Sequence, residues 1–101
     1  MEAKLDQEPT IQSVEGWQIE PLLDEPEKKG LCRTFIFSEY RHAARFATMI
    51  ADLADKVQHH PDILIKYKKV RIISLTHDQS KVTVKDTDIA VKINELYNSI
   101  S

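Results

Sequence analysis

The segment Ser38–Pro61, SEYRHAARFATMIADLADKVQHHP, decides how the rest of the chain is read. Within it Ala43, Phe46, Ala47, Ile50, Leu53, Ala54 and Val57 recur at steps of three and four residues. That spacing lines one side of an α-helix, so this helix has one buried face and one solvated face. Ser38 is placed to act as its N-cap, because a hydroxyl there can accept a hydrogen bond from an unpaired N–H of the first turn. At the other end Pro61 disfavours helical geometry at His60, and the helix is expected to stop near Gln58. His59 and His60 then leave the helix end together.

On the N-terminal side a strand-like pattern begins at Trp17, and Leu31–Phe37 (LCRTFIF) is a β-branched and aromatic run. Leu23–Gly30 (LDEPEKKG) between them has turn chemistry, which makes the pair a hairpin with a long loop. On the C-terminal side Ile63–Tyr67 and Val70–Thr76 alternate as strands, with Lys68-Lys69 as a tight connection. After the polar turn Asp78-Gln79-Ser80-Lys81, Thr83 can cap a last helix that puts Ile89, Ile93, Leu96 and Ile100 on one side. The order ββαββα predicts an α+β fold, a four-stranded antiparallel sheet with helices packed on one face. Residues 1–14 read as a flexible or weakly helical lead-in, at most a short helix. Residues 15–101 form the one domain that a chain of 101 residues can support.

Composition narrows the function. A net charge of -2 and a pI near 6.1 lack the basic footprint of a protein that grips a phosphate backbone, so direct nucleic-acid binding is not expected. The basic run Lys66, Lys68, Lys69 and Arg71 is read as a solvated face. The single cysteine, Cys32, can form neither an internal disulfide nor a cysteine-based zinc site. No apolar run approaches the ~20 residues that span a bilayer, and no signal-peptide pattern opens the chain. A cytoplasmic setting without membrane contact is the expectation.

The residues that can do chemistry cluster in Asp55-Lys56-Val57-Gln58-His59-His60-Pro61, then Tyr67, Thr76-His77-Asp78 and Asp86. His59 and His60 leave a helix while His77 ends a strand, so the fold can bring all three to one pocket. Histidine suits reversible proton transfer because its ordinary pKa of about 6.5 supplies acid and base forms near neutrality. Each residue also has a plainer reading. A histidine at a helix terminus is more often a cap or surface group. Asp86, three residues after Thr83, fits a capping box as well as a site carboxylate. Asp55 can be a solvated helix residue, and Tyr67 can serve hairpin packing. Adjacent histidines diverge, unlike the i, i+4 pair that converges on one ion, so no metal site is expected.

Asp55, His59, His60, Pro61, Tyr67, His77 and Asp86 together resemble the signature of the pterin-4a-carbinolamine dehydratase family: an acidic or polar residue, His-His-Pro, an aromatic, a histidine and an aspartate at set spacings. Gly16-Trp17, Phe35–Phe37, Asp62-Ile63, Thr76-His77-Asp78 and Asp88-Ile89-Ala90 extend the similarity over most of the chain after residue 15.

The resemblance implies a 4a-hydroxytetrahydropterin dehydratase of tetrahydrobiopterin recycling. His59, His60 and His77 would be its active-site histidines and Asp86 its supporting carboxylate. Gln58, Pro61, Thr76 and Asp78 would line the pterin site, with Asp55 and Tyr67 in support. It further implies no cofactor, a homodimer or homotetramer, and a rival role as a non-catalytic dimerisation cofactor for a protein partner. Two positions depart from the pattern. Ile63 stands where many members have tryptophan. Lys81 stands where glycine is frequent, which would strain the turn if positive φ were required there.

Overall fold

A computed structural model describes residues 12–100. The apolar periodicities become β1 (Gln18–Pro21), β2 (Lys29–Ile36), α1 (Tyr40–Val57), β3 (Asp62–Lys66), β4 (Lys69–Ser74) and α2 (Val84–Ile100). All strand pairs are antiparallel, in the order β1-β2-β4-β3. This is the expected ββαββα fold. Residues 1–11 of the lead-in lie outside the described residues. Val14, at its end, is already buried in the core and accepts a hydrogen bond from the Trp17 N–H.

The stripe of α1 buries Ala43, Phe46, Ala47, Ile50 and Ala54 against the sheet, while Val57 at its end stays 39% exposed. The sheet answers with Leu31 and Phe35 from β2 and with Val70 and Ile72 from β4. Phe35, Phe46 and Tyr97 pack edge-to-face or tilted, with ring centroids 4.8–5.6 Å apart. Each large side chain withdrawn from water here contributes about 1.5–3 kcal/mol before chain entropy is set against it. In α2, Ile89, Ala90 and Ile93 are buried and Leu96 packs partly, whereas Ile100 is exposed.

Three local expectations need correction. The N-cap of α1 is Glu39, not Ser38, and no side chain caps it. Phe37 still donates its N–H to the Lys68 carbonyl, so the chain stays extended one residue longer, and the Glu39 carboxylate pairs with Arg41 instead. The β3–β4 turn is Tyr67-Lys68, since Lys66 pairs with Lys69, and Tyr67 takes the positive φ of 55°. In the turn after β4 the positive φ falls on Ser80, at 53°, while Lys81 pairs with Thr76 as an isolated bridge. The lysine therefore avoids the strain its position suggested. Ile63 packs partly against the core. Among the described residues no helix is long and apolar enough to cross a membrane.

Candidate active site

The end of α1 is built without glycine. Gln58 adopts the left-handed conformation at φ 57°, and the N–H groups of Gln58 and His59 both reach the Ala54 carbonyl. The bond from His59 is the six-to-one contact that closes helices and turns the chain sharply. The Gln58 side chain folds back and donates to the Asp55 carbonyl at 2.6 Å. This turn aims His59 inward, toward the start of α2.

There it meets Asp86. His59 Nε2 lies 2.6 Å from Asp86 Oδ1, with the imidazole side chain 15% exposed and the carboxylate fully buried. Ser74, the last residue of β4, donates its hydroxyl to the same oxygen at 2.6 Å. The other oxygen, Oδ2, accepts from Thr76 Oγ1 and from the Thr83 N–H, each at 2.8 Å. Thr83 Oγ1 in turn accepts from the Lys85 N–H at 3.2 Å. Together with the Thr83 N–H bond, this caps the start of α2 in the manner of a capping box, with the hydroxyl serving the Lys85 N–H one residue earlier than the box requires. The capping and site readings of Asp86 are thus not alternatives. One oxygen holds the helix start and the other holds the histidine.

Donor counting orders the protons. Burial pushes the Asp86 carboxyl up, but the hydrogen bonds from Ser74, His59, the Thr83 backbone and Thr76 outweigh it, and the group lies below its ordinary value. An ionised carboxylate only accepts, so His59 Nε2 carries a hydrogen and donates it. Nδ1 is then the ring atom left to exchange a proton. Thr76 spends its hydrogen on Asp86, so in the 2.6 Å Thr76–Thr83 contact the Thr83 hydroxyl is the donor. A directed chain of hydroxyls thus runs from the helix start into the carboxylate.

His59 lines a cleft of about 330 Å³ with Val57, Gln58, Lys85, Asp88, Ile89 and Lys92. That is the lower range of small-ligand pockets. A roomier cleft of about 430 Å³ lies near the other end of α1, beside His42, Arg45 and Tyr97. No fully buried residue lines that second cleft, whereas the first is lined by His59, whose ring is bonded to the buried Asp86.

The remaining expected residues divide. Thr76 is buried on Asp86. His77 and Asp78 are exposed in the turn that follows it. His60 turns to solvent and meets Asp55 at 3.0 Å, the two side chains 59% and 79% exposed. Pro61 is half-buried at the entry to β3. Tyr67 is not brought to the cluster. It sits at the far end of β3, 67% exposed, beside Tyr40. Among the described residues no three His, Cys, Asp or Glu side chains converge as a metal site would require.

Sequence reasoning missed Ser74 and the α2 wall of the cleft. Both had signals. Lys85, Asp88, Ile89 and Lys92 follow the three-four-seven spacing of one helical face. Ser74 is a hydroxyl at a β4 position where alternation with Val70 and Ile72 calls for an apolar side chain.

The family model described as pterin 4 alpha carbinolamine dehydratase matches residues 2–96. A Thermomicrobium roseum protein, provisionally named a pterin-4-alpha-carbinolamine dehydratase, is 35% identical over 86 residues, 85% of each chain. A Sulfurisphaera tokodaii protein with the same provisional name is 33% identical over the same share of both chains. The fold resembles a crystal structure from Brucella melitensis described as a transcriptional coactivator/pterin dehydratase. The TM-score is 0.68 at 30% identity, covering 80% of this chain and 81% of that one.

Proposed function

Because the chain belongs to the pterin 4 alpha carbinolamine dehydratase family, we propose that it removes water from a 4a-hydroxytetrahydropterin to give the quinonoid dihydropterin. The observation that carries this reading is His59, which lines a ligand-sized cleft while its ring is held from behind by the buried Asp86. In the reaction the C4a–O bond breaks as the leaving oxygen takes a proton, and the N5 proton departs as the C4a–N5 double bond forms. Each transfer needs a group that holds a proton and releases it near neutrality, which imidazole does.

His59 exchanges its proton through Nδ1 while Asp86 steadies the charge that forms on the ring. Asp86 remains an anion throughout, held by its four donors, and acts as a positioning residue. His60 and His77, exposed beside His59 and Thr76, are the remaining proton carriers that the family signature implies. Gln58 lines the cleft, and Pro61, Thr76 and Asp78 belong to its surroundings in the same signature.

The chain acts as a homodimer or homotetramer. Leu64 and Ile65, exposed on the edge strand β3, are the kind of surface that self-association covers. The description of the Brucella protein as a coactivator favours a second reading, an interaction module of the same fold. A direct assay separates the two. Synthetic 4a-hydroxytetrahydropterin, followed by the absorbance of the quinonoid product, is expected to dehydrate far faster with the protein than in buffer. A rate no greater than that in buffer would leave only the interaction module.

A further inference from the structure

We propose that Ser74 is a positioning residue for the His59–Asp86 pair, its hydroxyl holding Asp86 Oδ1 in the orientation from which that oxygen also receives the His59 ring. The kinetic consequence rests on the dehydratase reading, while the geometry stands without it. Ser74 is fully buried at the end of β4, on the face that Val70 and Ile72 give to the core. A buried hydroxyl there is unfavourable unless it is hydrogen-bonded, and its bond goes to the carboxylate at 2.6 Å.

The two oxygens of Asp86 are held differently. Thr76 and the Thr83 N–H clamp Oδ2. Without Ser74, Oδ1 would have His59 as its one remaining donor, and the carboxylate could swing about its clamped oxygen. With Ser74 in place, two hydroxyls from one strand end, two residues apart, hold one oxygen each. The strand thereby sets the angle at which the carboxylate faces the histidine. His59 is the titratable group bonded to Asp86. Lys85, Asp88 and Lys92 of α2 line the cleft beyond it, and β4 with the residues that follow it contributes only the Ser74 and Thr76 hydroxyls to the carboxylate.

The test follows the Asp86 side-chain carboxyl by carbon NMR through an acid titration, in the wild type and in Ser74→Ala, Ser74→Cys and Ser74→Thr. Losing the donor should raise the proton affinity of Asp86 about tenfold, the scale of a hydrogen bond to a charged acceptor. Catalytic turnover should fall by a similar factor of about ten while KM stays within about twofold, because ring orientation rather than binding is lost. Ser74→Thr, which keeps the hydroxyl, should restore both.

Ser74→Cys keeps the size with a poor donor and serves in place of alanine if that protein does not fold. A variant whose stability falls while the Asp86 titration stays at the wild-type position would reduce Ser74 to a packing residue and overturn the proposal. A shifted titration in a protein whose wild type shows no dehydratase activity would uphold the positioning role and reject the pterin reading.

Discussion

Two histidine–aspartate pairs lie at the same helix end, one residue apart in sequence, and they are opposites. His59 meets Asp86 at 2.6 Å inside the fold, and His60 meets Asp55 at 3.0 Å in solvent. Water screens the outer pair, and two mobile side chains must be ordered to make it, so such a pair is worth at most about 1 kcal/mol. The inner pair has lost its water, and protein donors replace it at every acceptor site of the carboxylate. Identical functional groups thus become a surface contact in one case and a desolvated, fully hydrogen-bonded pair in the other.

The comparison can be broken most forcefully at His59. His59→Ala should lower dehydration by about 10²–10⁴, the scale of general acid–base catalysis. It should also cost about 1.5–3 kcal/mol for the lost bond to a charged acceptor. His60→Ala and His77→Ala should lower the rate with the melting temperature nearly unchanged, because both side chains stand in solvent. Parallel kinetics and thermal melts check this, and an equal loss of stability in all three would erase the distinction.

Asp86→Asn comes next. Every group facing this carboxylate donates to it, and the Thr83 N–H can do nothing else, so an amide fits only by giving its oxygen to Thr83 and forcing Ser74 or the His59 ring to turn from donor to acceptor. A stability loss on the order of 2–3 kcal/mol is expected, with reduced turnover, and asparagine is no mild replacement here. A urea melt that matches the wild type would contradict the donor count.

The acid limb sharpens the same point. The folded pKa of Asp86 is lowered, so its contribution to stability is fully present above the ordinary carboxylate value of about 3.9 and is lost as pH falls through the folded value. Stability measured from pH 7 down to 2 should therefore keep falling below about pH 4 in the wild type, and less steeply in Asp86→Asn. The smallest effect belongs to the outer pair. A double-mutant cycle on His60 and Asp55 should return a coupling within about 0.5 kcal/mol, whereas the His59–Asp86 cycle should exceed it severalfold.

Sequence by itself determined the order of elements, since periods of two and near 3.6 are written in which residues are apolar, and Pro61 marks where α1 must end. It also supplied the histidines, because residue types that exchange protons near neutrality are few, and Asp86 through its place in the resembled signature. Tertiary structure decided everything that depends on direction. That Gln58 rather than a glycine takes the left-handed turn, that His59 points in while His60 points out, and that Tyr67 ends at the far turn follow from backbone geometry no local pattern encodes. The ionised state of Asp86 was likewise undecidable in one dimension. It depends on desolvation balanced against donors from Ser74, Thr76, Thr83 and His59, which meet only when β4, α1 and α2 pack together.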